Sequence, residues 1–150
     1  MSYGADAPAY WQDEFAEDES SLLESDVCII EGEHYFVRGT LEIPVIGENE
    51  AFSWGVWVSL SPANFQRTLD LMGTDGRESE PPYFGWLSTE LPIYGTSTVS
   101  LKTNVHTRAV GLRPTVELEP TSHPLAVEQR EGITRDRVRR IAEQILHPDA

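Results

Sequence analysis

The chain has 150 residues, a mean hydropathy of -0.34 and a single cysteine, Cys28; at this length one domain buries roughly two-thirds of its unfolded surface and needs no staple to hold it. No window approaches the ~20 apolar residues of a membrane span, the start Met1-Ser-Tyr-Gly-Ala-Asp6 has neither the basic nor the apolar part of a secretory signal, and one cysteine excludes an intrachain disulfide, so a reducing cytoplasm is the expected compartment. The net charge of -14 is concentrated early, with thirteen acids and one base (Arg38) in residues 1–50, which disfavours nucleic acid and anionic membranes and favours a basic protein partner.

The whole chain, 1–150, reads as one domain with a loose leader over residues 1–9. Trp11, Phe15 and Leu22 recur at four and seven residues, which predicts a short helix over residues 9–24. Its acids fill the opposite face or the first turns, where a helix dipole tolerates them. Val27–Ile30 is a fully apolar run that predicts a buried strand, with Cys28 packed as a small hydrophobe. A turn containing Gly32 leads into residues 35–43, where Tyr35, Val37, Leu41 and Ile43 face one way and Phe36, Arg38, Thr40 and Glu42 the other. Pro44 and Gly47 end this hairpin.

Phe52–Leu60 alternates more cleanly, with Phe52, Trp54, Val56, Val58 and Leu60 on one face and Trp57 on the other. Ser61-Pro62 starts a helix, since serine caps well and proline at the first position gives up a donor that would be unpaired anyway. Phe65, Leu69 and Met72 form its apolar stripe and Gly73 its stop. Residues 81–87 are aromatic and rigid. Residues 98–105 and 114–118 read as further strands. Thr134 caps a last helix reaching Leu146, lined by Val138, Ile141, Ala142 and Ile145, with Pro148 beyond it. Together these elements predict an α+β fold: a mainly antiparallel sheet with helices packed on one side or at the ends. The hairpin connections are too short for several parallel crossovers.

The phosphate-loop, nucleophile-elbow and HExxH patterns are missing from the sequence. His34, His106, His123 and His147 are isolated, and a structural zinc normally uses closely spaced Cys or His pairs, so no metal and no cofactor is expected. Residues 121–134 pack a histidine, two glutamates, a glutamine and an arginine between a strand signal and a helix signal. His123 with Glu128 or Glu131 could act as an acid–base pair, with Gln129 or Arg113 stabilising developing negative charge. On one helix, however, five residues set His123 and Glu128 about 140° apart, at about 100° per residue. Pro124 suits a first helical turn, which makes His123 or Ser122 a cap. The simpler reading is a short helix whose polar side chains bond to nearby backbone.

Trp57, Trp86, Tyr83 and Arg38 are the candidate binding residues. Trp57 lies opposite Trp54, so one of the two is either an exposed anchor or covered by a helix. Whether Arg38 shares the face of Trp57 or of Trp54 is open at this level. Arg130, Arg135, Arg137, Arg139 and Arg140 are interleaved with Glu131, Asp136 and Glu143 and read as a solvated helix face or as a face docked against the acidic first helix.

The tracts 28–44, 52–65, 81–113 and 121–134 resemble the bacterial family of uncharacterised proteins known as DUF2199, and the likeness runs from about Gly4 to His147. Residues 52–65, 81–87 and 123–134 carry it most specifically. The resemblance implies no activity. Members similar to this chain often begin with a Cys-x-x-Cys segment ahead of the region matching 4–11. This chain has no such pair and reads as a shorter member or as one whose start codon was placed late. The expected function is a small cytoplasmic interaction protein, immunity- or inhibitor-like, with an enzyme or small-ligand pocket around His123, Glu128 and Arg113 as the alternative.

Overall fold

The structure is a computed structural model that describes residues 2–147. Eight strands form one sheet: β1 (Ser2–Gly4), β2 (Leu22–Leu23), β3 (Val27–Ile30), β4 (His34–Ile43), β5 (Phe52–Leu60), β6 (Tyr83–Leu87), β7 (Lys102–His106) and β8 (Thr115–Leu118). Three α-helices join them: α1 (Pro62–Asp70), α2 (Pro124–Glu131) and α3 (Arg135–Leu146). The fold is α+β and the pairing mostly antiparallel, as the alternation implies. The sheet also closes on itself. β4 to β8 pair in succession, and β8 returns to β4 in parallel through Thr40 and Thr115. An odd number of strands in a simple meander leaves its first and last strands parallel, which accounts for this seam.

The main core fills the barrel. Val37, Leu41 and Ile43 of β4 meet Phe52, Trp54, Val56, Val58 and Leu60 of β5, as the alternation predicts. Phe65, Leu125, Ala126 and Ile141 bring the three helices onto this core. Gly39 makes the closure possible: a Cβ there would lie 2.7 Å from Val116 Cγ2 and 2.9 Å from the Pro114 carbonyl oxygen.

Each α-helix starts where a local cap places it. Ser61 Oγ accepts from Asn64 N, His123 Nδ1 from Leu125 N, and Thr134 Oγ1 from Arg137 N. On α1 only Phe65 is buried, while Leu69 is exposed and Met72, past the end of the helix, is exposed too. On α3 Ile141 is buried and Ile145 is exposed. Pro148, read as the stop of α3, lies outside the described residues.

Two expectations fail in the N-terminal region. Residues 2–4 are not loose, because β1 pairs in parallel with Ser53, Trp54 and Gly55 of β5. Residues 9–24 do not form an α-helix. A 3-10 turn covers Asp13–Glu17 and a two-residue strand covers Leu22–Leu23. Asp18 decides this. Its carboxylate accepts from Ser20 N, Ser20 Oγ and Ser21 Oγ, a local arrangement that competes with helix hydrogen bonding. Leu23 packs inward and Leu22 is exposed, the reverse of the helical reading.

The segment still covers the sheet. Trp11, Phe15 and Leu23 pack on a second cluster outside the barrel: Cys28, Ile30, Phe36 and Trp57. No helix among the described residues is long and apolar enough to cross a membrane.

Candidate functional site

A groove of about 580 Å³ lies between the N-terminal segment and the outer face of the barrel. Tyr10, Phe15, Phe36 and Trp86 supply aromatic walls, Ser59 and Ser100 hydroxyls, and Glu31 and His34 one rim. Its volume falls within the ~300–1,000 Å³ common for ligand clefts. Trp86 reaches it from β6, where Tyr83, Gly85 and Leu87 point into the barrel and Phe84 and Trp86 point out. Phe84 and Trp86 stack edge to face at 5.2 Å, and each is 43% exposed. Tyr10 leans on Phe36 at 6.3 Å and is exposed as well.

Two residues on the groove have unusual backbones. Glu31 (φ 54°) and Ser100 (φ 73°) are the non-glycine residues with positive φ among those described. Such conformations cost of order 1–3 kcal/mol and gather where a site must hold its shape. Here each is held by a short hydrogen bond, from Glu31 N to Ser21 Oγ (2.7 Å) and from Ser100 N to the Leu87 carbonyl (2.7 Å). The charge around the groove is one-sided. Glu31 is the one carboxylate in the lining, the covering residues 10–23 add five acids, and neither includes a lysine or arginine. Lys102, opposite Trp86 in the β6–β7 register, is a base nearby.

Of the four residues nominated for binding, Trp86 alone is both exposed and in the groove. Trp57 is fully buried, so it is not a surface anchor. It is covered by the N-terminal segment, which includes the 3-10 turn at Asp13–Glu17, rather than by an α-helix, and its indole N–H donates to the Ala5 carbonyl at 3.1 Å. Arg38 shares the face of Trp57, with its guanidinium carbon 5.7 Å from the ring centroid. Tyr83 is buried too, and its hydroxyl donates to Glu80 at 2.6 Å. Burial first, then the Glu80 carboxylate, push its phenol up to about 12. In turn the Arg67 guanidinium, followed by the Tyr83 hydroxyl, holds Glu80 below the usual carboxylate range.

The residues of 121–134 are committed to structure. His123 Nδ1 caps α2 as an acceptor, which leaves Nε2–H to donate to the Ser97 carbonyl at 3.0 Å. Glu128 accepts from Arg137 Nε at 2.8 Å, and its other oxygen is buried without a well-directed partner. It stands beside Tyr94, whose hydroxyl accepts from Trp54 Nε1. Burial, and next the Glu128 carboxylate, hold the Tyr94 phenol above its ordinary range. Gln129 spends its amide on backbone, accepting from Leu118 N at 2.8 Å and donating to the Val116 carbonyl at 2.9 Å.

Arg113 is elsewhere, paired with Asp26 at 2.7 Å. The four catalytic candidates therefore do not meet in one cleft. Arg137, Arg135 and Arg139 are paired with Glu128, Glu48 and Asp136, so most of the last arginine cluster is taken up by carboxylates.

Sequence reasoning missed the part played by Tyr10, Phe15 and Ser100. The outward position of Phe36 in the β4 alternation and the candidate Trp86 were the signals pointing there. Ser100 offers none, since only its backbone conformation marks it.

The family model described as "Uncharacterized protein conserved in bacteria (DUF2199)" matches residues 1–133. No curated protein and no solved structure matches the chain.

Proposed function

The chain belongs to the DUF2199 family, and we propose that it is a non-catalytic binding protein of the cytoplasm that docks a basic protein partner on the groove between residues 10–36 and β6. One observation carries this reading: half-exposed Trp86 and exposed Tyr10 stand on a groove that has Glu31 in its lining and is covered by residues 10–23, which hold five acids and no lysine or arginine. Exposed aromatic anchors supply binding energy at protein interfaces. A one-signed acidic rim selects and steers a basic partner more than it adds affinity. An immunity- or inhibitor-like protein that masks the basic site of a toxin or nuclease is a concrete form of this function. The cytoplasmic assignment rests on a lone thiol buried in the second cluster.

The test starts by capturing partners with the tagged full chain and purifying the stoichiometric one for calorimetry. The expected partner is basic, and its affinity falls with added salt. Trp86→Ala should weaken it by roughly 30-fold or more, as a hot-spot aromatic does. An acidic partner, or a basic one indifferent to Trp86→Ala and Tyr10→Ala, refutes the proposal.

A further inference from the structure

A second cleft, of about 480 Å³, opens between α1 and the connection from β7 to β8, and it shares no lining residue with the aromatic groove. Its charge runs against that of the protein. Arg38, Arg77 and Arg113 line it with one acid, Asp26, a local balance of 3 − 1 = +2 in a chain of net charge -14. Concentrating one sign of charge in a concave wall focuses the field on a ligand of the opposite sign.

The three arginines have different duties. Arg77 is the builder. It donates to the carbonyls of Met72, Arg108, Ala109 and Leu112 at 2.7–3.2 Å, fixing the connection as one lip of the cleft. These carbonyls satisfy its donors without neutralising its charge. Arg38 is the wall. Its side chain lies over Trp57, its Nη1 donates to the Ser25 carbonyl at 3.3 Å, its Nη2 lies 3.7 Å from the Asp6 carboxylate, and its Nε is buried without a hydrogen-bond partner.

Arg113 is the available donor. Its partner contact to Asp26 uses Nε, and both side chains are about half exposed (44% and 56%). A pair so open to water is worth little and exchanges readily. Around this charge lie apolar surfaces, with Val27 and Val37 as the buried floor and Met72 and Leu112 exposed at 43% and 51%.

We infer that this cleft binds a small organic anion, its carboxylate or phosphate head held by Arg113 while Arg38 and Arg77 add positive charge to the walls, and its apolar body resting against Met72 and Leu112. Arginine suits this task because its planar fork matches either head group. Asp26 competes with the anion for Arg113, so the site is built with an internal brake.

The full-length protein should be titrated by calorimetry with hexyl phosphate, hexanoate and the neutral hexanol. Saturable binding of either anion, and none of hexanol, is expected, and the tighter of the two anions identifies the head group. Arg113→Gln should weaken binding by about tenfold or more through the lost charged hydrogen bonds. Asp26→Asn should tighten binding several-fold, by freeing Arg113 and removing a like charge. Both positions are exposed, and far-ultraviolet dichroism confirms that each variant is folded. The inference is overturned if neither anion binds at about 10 mM, a limit already far weaker than a useful site. It also fails if hexanol binds as well as the anions, or if Asp26→Asn weakens binding.

Discussion

Gln129→Met tests whether residues 121–134 form a joint or a reaction centre. β8 and β4 are joined by ladder pairing at Thr40 and Thr115, with Thr40 N donating to the Pro114 carbonyl at 2.9 Å. Beyond that point the Gln129 amide takes the place of a peptide unit. Its oxygen accepts from Leu118 N, and its nitrogen donates to the Val116 and Glu42 carbonyls at 2.9 and 3.4 Å. Methionine keeps the length and removes every one of these bonds. Leu118 N and the Val116 carbonyl are then left without partners, at ~1–3 kcal/mol for each orphaned group. Gln129 is half-buried, so water offsets part of that cost, and a net loss of about 2–4 kcal/mol is expected. For a chain of this size that is a fall in Tm of roughly 5–15 °C.

Urea unfolding supplies the measurement, with a lower midpoint at unchanged slope. Faster exchange of the Leu118 amide should accompany it. Gln66→Met is the control, because Gln66 bonds only to Asp70 on the exposed face of α1; it should stay within about 0.5 kcal/mol of the parent. A change equally small for Gln129→Met, with Leu118 exchange unaltered, would falsify the seam argument.

Two further outcomes follow from burial. Cys28 is fully buried and burial pushes its thiol up to about 11, so Ellman's reagent at pH 8 should leave the native protein unmodified and titrate one thiol after guanidinium unfolding. Rapid modification of the native protein would place Cys28 outside the second cluster. Tyr83 ionises near 12 when folded and near ~10 when unfolded, so the unfolded state loses its proton first and stability falls as pH rises from 10 to 12. Tyr83→Phe should make that fall shallower in urea melts taken at several pH values. The same slope in both proteins would rule Tyr83 out as a contributor. Tyr94 acts with the same sign in both proteins.

Local physics made much of the chain legible. Phe52–Leu60 is a strand with one face buried because alternate side chains of an extended chain point to opposite sides, and the alternation is written into the residues themselves. Ser61, His123 and Thr134 start helices through bonds that span two or three residues. Residues 9–24 misled because a helical spacing of three apolar side chains is weaker than the Asp18 hydrogen bonds within the same segment. That competition is also local, but it turns on geometry that residue spacing alone does not express.

Contacts between distant residues were decided by tertiary structure. Trp57 is buried because residues 5–15 fold back across it, more than forty positions away. Arg113 parts from His123 because barrel closure carries β8 to β4 and leaves Arg113 beside Asp26, which lies 87 residues earlier. The groove at Trp86 and the arginine cleft both form where segments remote in sequence are brought together. Composition and periodicity act over a few residues, so by themselves they determined the α+β class and the starts of the three α-helices, while the likeness of whole tracts carried the family. Which aromatic ring is left in water, and which arginines face one another, depends on how the sheet closes.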